Sequence, residues 1–93
     1  MPKNIKPFFV DEYLETEEDI AGFLSDMLEN GTITDFINAL GTVARARGMT
    51  EIARKAGVTR ASLYKSLADG ANPRIDTISK IVNALGLKLT VAA

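Results

Sequence analysis

At 93 residues the chain has room for one small domain with a single core. It contains neither cysteine nor histidine, which excludes disulfides, the usual zinc sites, Ser-His-Asp triads and Cys-His dyads. The formal charge of −1 hides a split: residues 1–35 carry nine acids and two bases, a net −7, whereas residues 36–93 carry nine bases and three acids, a net +6.

Such asymmetry predicts two differently charged partners, or two halves that attract each other. No carboxylate constellation suggests an enzyme, and no cofactor or metal is expected. No apolar run approaches the roughly 20 residues of a membrane span, and the start MPKNIKPFF lacks a signal-peptide core. A cytoplasmic protein without a membrane partner is the expectation.

Residues 1–10 read as an extended arm. Pro2 and Pro7 break helix, and Phe8, Phe9 and Val10 form a short apolar run suited to a strand or a docked arm. Asp11 to Leu14 predicts one helical turn capped by Asp11, with Tyr13 and Leu14 as core contacts. Thr16 then opens a clearer helix. With Asp19 three residues on it approximates a capping box, and Glu17 and Glu18 suit the positive helix start. Ile20, Phe23, Leu24, Met27 and Leu28 recur at helical spacing as one apolar face. Asn30-Gly31 is expected to close this helix in the left-handed conformation. Gly22 inside it costs about 1 kcal/mol relative to alanine, and a close helix crossing is one reason to keep it.

A further helix is predicted from Thr34, with Phe36, Ile37, Leu40, Val43 and Ala44 inward and Gly48 as its stop. Arg45 and Arg47 fall in its last turn, where they either complement the negative helix end or reach a phosphate. Next comes TEIARKAGVTRASLYKSLA, from Thr50 to Ala68. It reads as two short helices joined by a tight turn at Gly57. Thr50 is expected to cap the first, Glu51 to Ala56, and Thr59 the second, which runs through Leu67. Ala53 is small enough for the second helix to cross close over the first. Ile52, Ala56, Val58, Leu63 and Leu67 would face inward together. That is the spacing of a helix-turn-helix, whose second helix lies in the DNA major groove; an ordinary helical hairpin is the alternative.

Asp69 to Arg74 is a loop by composition. Asp76 or Thr77 is expected to cap a last helix, with Ile78, Ile81, Val82 and Leu85 inward and Gly86 as its stop. Leu87 to Val91 alternates apolar and polar residues, which predicts a half-buried strand. Its partner would be either Phe8–Val10 or the same strand of a second subunit.

The Thr50–Ala68 segment resembles the Xre/Cro-type helix-turn-helix of phage repressors and related bacterial regulators, through Ala53, Gly57, Val58 and Leu63. One departure is Ser66, which occupies the usual late apolar position, with apolar Leu67 beside it. Over residues 8–91 the blocks FFVDEYLETEEDIAGFL, FINALGTVARARGMTEIARKAGVTRASLYKSLA and NPRIDTISKIVNALGLKLTV look like the HigA-type addiction-module antidote family. That resemblance implies an all-α fold: a five-helix Xre/Cro-like (lambda-repressor-like) DNA-binding domain with an N-terminal arm and helix extension and a short C-terminal strand. It implies one domain over 1–93, with 1–31 as the acidic arm and helix and 34–91 as the helix-turn-helix part. It further implies the antitoxin of a type II toxin-antitoxin module, which neutralises a RelE/HigB-like toxin and represses its own operon. The alternative is a stand-alone phage or prophage regulator.

For double-stranded DNA, the first turn of the second motif helix places Thr59, Arg60 and Ala61 at base edges. Arg60 suits guanine, and the methyl groups of Thr59 or Ala61 suit thymine. Tyr64 and Lys65 lie one turn on. Thr50 presents backbone amides to a phosphate, Asn72 and Arg74 hold the neighbouring strand, and Ser62 serves either the helix start or the DNA. A palindromic operator and a homodimer are expected, since one domain reads about half a site. For the toxin, an acidic surface suits a protein that must hold RNA. Phe8 and Phe9 would anchor it, with Asp11, Glu12, Glu15 and Glu18 as the charged contacts.

Overall fold

The structure, a computed structural model, describes residues 16–92. The expected arm and the Asp11–Leu14 turn lie outside these residues. Five helices follow one another: α1 (Glu17–Asn30), α2 (Ile33–Arg47), α3 (Met49–Ala56), α4 (Arg60–Ser66) and α5 (Ile75–Ala84). The described part is all-helical, as the periodicity predicts.

Each start has a local cause. At α1 the Thr16 hydroxyl accepts from the Asp19 amide at 3.0 Å, while the Thr16 amide donates back to the Asp19 carboxylate at 3.3 Å. This closed capping box matches the expectation. Helix α2 begins one turn's fraction earlier than predicted, because Thr32 rather than Thr34 caps it. Thr32 has Asp35 three residues on, and the pair forms a second capping box with distances of 3.1 and 2.9 Å. Only one residue, Gly31, separates the end of α1 from this cap. It is therefore extended (φ −125°) and not left-handed as expected. Space is what requires glycine here: a Cβ would sit 2.7 Å from the Asp35 carboxylate and 2.9 Å from the Met27 carbonyl.

Helix α3 starts at Met49, so Thr50 is inside its first turn and is not its cap. Gly48, at φ +106°, ends α2 and begins α3 at once, its amide donating to Ala44 and its carbonyl accepting from Ile52. No residue with a Cβ takes that geometry cheaply. Helix α5 likewise starts before the expected caps: Arg74 stands at the N-cap with no side-chain bond, and Asp76 is in the first turn. Two of the stops are Schellman motifs. Gly57 (φ +73°) has its amide on Arg54 and the next amide on Ala53, and Gly86 (φ +83°) repeats this with Asn83 and Val82.

Helix α3 is the hub, touching α2, α4 and α5, while α1 lies along α2. Ile20, Leu40, Val43, Leu63 and Ile81 are the most deeply buried large side chains, drawn from every helix except α3, which adds Met49, Ile52, Ala53 and Ala56. No polar or charged residue among those described is buried. Helix α1 is built into this body: Ile20 is fully enclosed and Leu24 nearly so. Gly22 makes no close crossing, since a Cβ there meets nothing within 4 Å. The crossing glycine is Gly41 on α2. Its missing Cβ would be 3.5 Å from that of Leu67, at the end of α4, and 3.2 Å from the Arg45 guanidinium.

The expected C-terminal strand is absent among the described residues, where 87–92 has no regular structure. The alternation that predicted it is nevertheless present: Leu87 and Leu89 lean onto the core, and Lys88 and Thr90 face out. A strand needs a ladder partner, and Phe8–Val10 lies outside the described residues. Leu87 and Leu89 hold this segment to the core instead, and between it and α1 lies a cleft of about 150 Å³ lined by Leu24, Leu28, Phe36, Val82, Leu87 and Leu89.

Candidate functional site

Helices α3 and α4 are joined through Gly57, Val58 and Thr59, and their inner sides are apolar. Ile52, Ala56, Leu63 and Leu67 are buried and Val58 is half-buried, as the spacing predicts. Leu67 keeps the register set by Leu63, to whose carbonyl its amide donates at 3.1 Å. The apolar seam therefore continues through Leu67, and Ser66 is left half-buried beside it.

Because that seam fixes the rotation of α4, its remaining residues share the outer side. Thr59, Arg60, Ala61, Ser62, Tyr64 and Lys65 are all exposed. Thr59 has a structural duty: its hydroxyl accepts from the Ser62 amide at 3.0 Å, which leaves its methyl group outward-facing chemistry. The same bond places Ser62, through its backbone, in the helix start.

Arg60 and Tyr64 are one turn apart and touch. The guanidinium carbon lies 5.3 Å from the ring centroid, and Nη2 donates to the Tyr64 hydroxyl at 3.3 Å. Sequence reasoning named both residues singly and missed the pair. The i,i+4 spacing was the signal that could have found it.

Around α4 the other named positions are also exposed: Thr50 on α3, Asn72 in the loop and Arg74 at the α5 cap. Arg74 keeps a long ion pair with Asp76, at 3.7 Å. Arg54 is engaged in a fork with Glu51, whose carboxyl it holds below the usual range chiefly through that hydrogen bond. Arg45 folds back over Gly41, toward the α2–α4 crossing.

Of the six acidic and aromatic residues expected at the second surface, Glu18 is described, exposed in the first turn of α1 beside Glu17 and Asp19. Phe8, Phe9, Asp11, Glu12 and Glu15 lie outside the described residues. Among the described residues no three metal-ligating side chains gather, and no helix is long and apolar enough to cross a membrane.

The family model described as probable addiction module antidote protein matches residues 4–93. An uncharacterised protein of Haemophilus influenzae is 42% identical over 91 residues, which cover 98% of this chain and 94% of that protein. No solved structure matches.

Proposed function

The chain belongs to the family of probable addiction module antidote proteins, and from this premise we propose that it is a HigA-type antitoxin with two binding jobs. It captures and neutralises a RelE/HigB-like toxin in the cytoplasm, and it represses its own operon as a homodimer on a palindromic site. It acts by binding and catalyses nothing.

The observation that supports the DNA-reading job is the outer face of α4. An apolar seam holds that helix against α3, and Arg60, Ala61, Tyr64 and Lys65 stand together on the open side. In an Xre-type helix-turn-helix this face enters the major groove. Arg60 then offers two donors to guanine O6 and N7, and the methyl groups of Ala61 and Thr59 meet thymine. Near the start of α3 no side chain caps the first-turn amides, so the backbone at Thr50 is available to a phosphate. Asn72 and Arg74 approach the adjoining backbone.

The charge split supports the second job. A toxin that holds RNA is basic where it does so, and the acidic 11–29 region is complementary to such a surface. The deciding experiment pairs two measurements on the whole chain. Co-expression should rescue cells from the product of a neighbouring toxin gene, and the purified protein should retard its own promoter fragment with a steep loss at higher salt. Rescue without promoter binding would remove the repressor half; promoter binding without a toxin partner would leave a stand-alone regulator.

A further inference from the structure

We infer that Tyr64 is a positioning residue that presets the Arg60 guanidinium for base recognition, and that it makes no base contact of its own. The inference rests on the DNA-reading role of α4 proposed above. A free arginine on a helix surface samples many rotamers, and fixing it on a base costs much of that freedom.

Here the side chain is already held. Tyr64 sits four residues on, on the same face of α4, with its ring 5.3 Å from the guanidinium carbon and its hydroxyl 3.3 Å from Nη2. Both side chains are exposed, so the pair faces outward from α4 as a unit. The contact engages the guanidinium through a single Nη2 donor and leaves its other donors unengaged by the tyrosine. Of the five N–H groups an arginine carries, the tyrosine hydroxyl takes one. Enough remain for a two-donor fork on guanine. A tyrosine occupied as platform and acceptor in this way has its chemistry turned toward Arg60.

The test is a double-mutant cycle on the full chain, read by fluorescence anisotropy with two probes: its own promoter fragment and an unrelated duplex of equal length. Tyr64→Ala should weaken binding to the promoter fragment by about two- to fivefold, the range of an exposed cation–π contact, with binding to the unrelated duplex unchanged. Tyr64→Phe, which keeps the platform, should recover most of the loss. In an Arg60→Ala background, Tyr64→Ala should have no further effect. An equal loss in both backgrounds would mean that Tyr64 touches DNA itself, and no loss in either would leave the pair without a role; both outcomes overturn the inference. If Arg60→Ala weakens promoter binding while Tyr64→Ala does not, the DNA-reading role stands and the positioning role falls. No preference of the unaltered chain for its promoter sinks both together. Thermal melts of each variant establish that the fold is intact.

Discussion

Two glycines inside helices show how little the residue type alone decides. Gly22 and Gly41 both occupy helical positions where glycine is costly. A Cβ at Gly22 meets open space, whereas one at Gly41 would press toward Leu67 and the Arg45 guanidinium. Gly22→Ala should therefore stabilise the protein by about 0.5–1 kcal/mol, seen as a higher urea midpoint. Gly41→Leu should destabilise by about 1–3 kcal/mol, because α4 must move away from α2 to admit it. An unchanged midpoint for Gly41→Leu would show that the crossing has slack. The sequence pattern pointed to the wrong glycine, since helical spacing reports which face a residue occupies and not how near another helix passes. Arg60 and Tyr64 were legible in the same limited way: their positions follow from the register, but their mutual contact depends on rotamers.

At the scale of elements, the apolar faces of the helices were readable, because each repeats at helical spacing; in α1 the face is buried only at Ile20 and Leu24, with Phe23 and Met27 half-buried and Leu28 exposed. Starts were less readable. Thr16 stood alone with its acidic partner, but Thr32 and Thr34 competed for one helix. Asp35, three residues after Thr32, was the discriminating neighbour. Gly48 could not be read as a double cap, because its glycine would have served either helix alone. The C-terminal alternation was real but insufficient: side-chain direction shows in a single segment, whereas a ladder requires two. The α3–α4 turn was the most legible feature, and it carries its own prediction. Gly57 sits at φ +73° with no Cβ obstruction, so Gly57→Ala should cost only the left-handed backbone penalty of about 1–2 kcal/mol. The melting temperature should fall by roughly 4–8 °C per kcal/mol with the α4 face intact. A loss well beyond it would mean that the turn is packed more tightly than its open surroundings indicate.

For the molecule as a whole, the acidic helix is both a proposed contact surface and part of the core. Removing residues 1–31 to test toxin capture would take Ile20 and Leu24 with it, and the body would lose its packing along α2. Such a truncation should fail to fold, and its inactivity would say nothing about the toxin. Charge reversal separates the two roles. Lysine at Asp11, Glu12, Glu15 and Glu18 together should keep a cooperative thermal melt, with the exposed Glu18 contributing about 1 kcal/mol or less to any shift. The same variant should lose toxin neutralisation while still retarding the promoter fragment. Full protection of cells by the folded variant would dismiss the acidic surface as the contact.

The stop of α5 also brings two distant parts of the chain together. A Cβ on Gly86 would strike the Glu17 carboxylate, so the start of α1 and the exit of α5 are neighbours in space. The segments that precede residue 16 and follow residue 86 are thus tethered at a common point. A side chain added at Gly86 would displace the Glu17 carboxylate, so a change at the exit of α5 is felt in the first turn of α1.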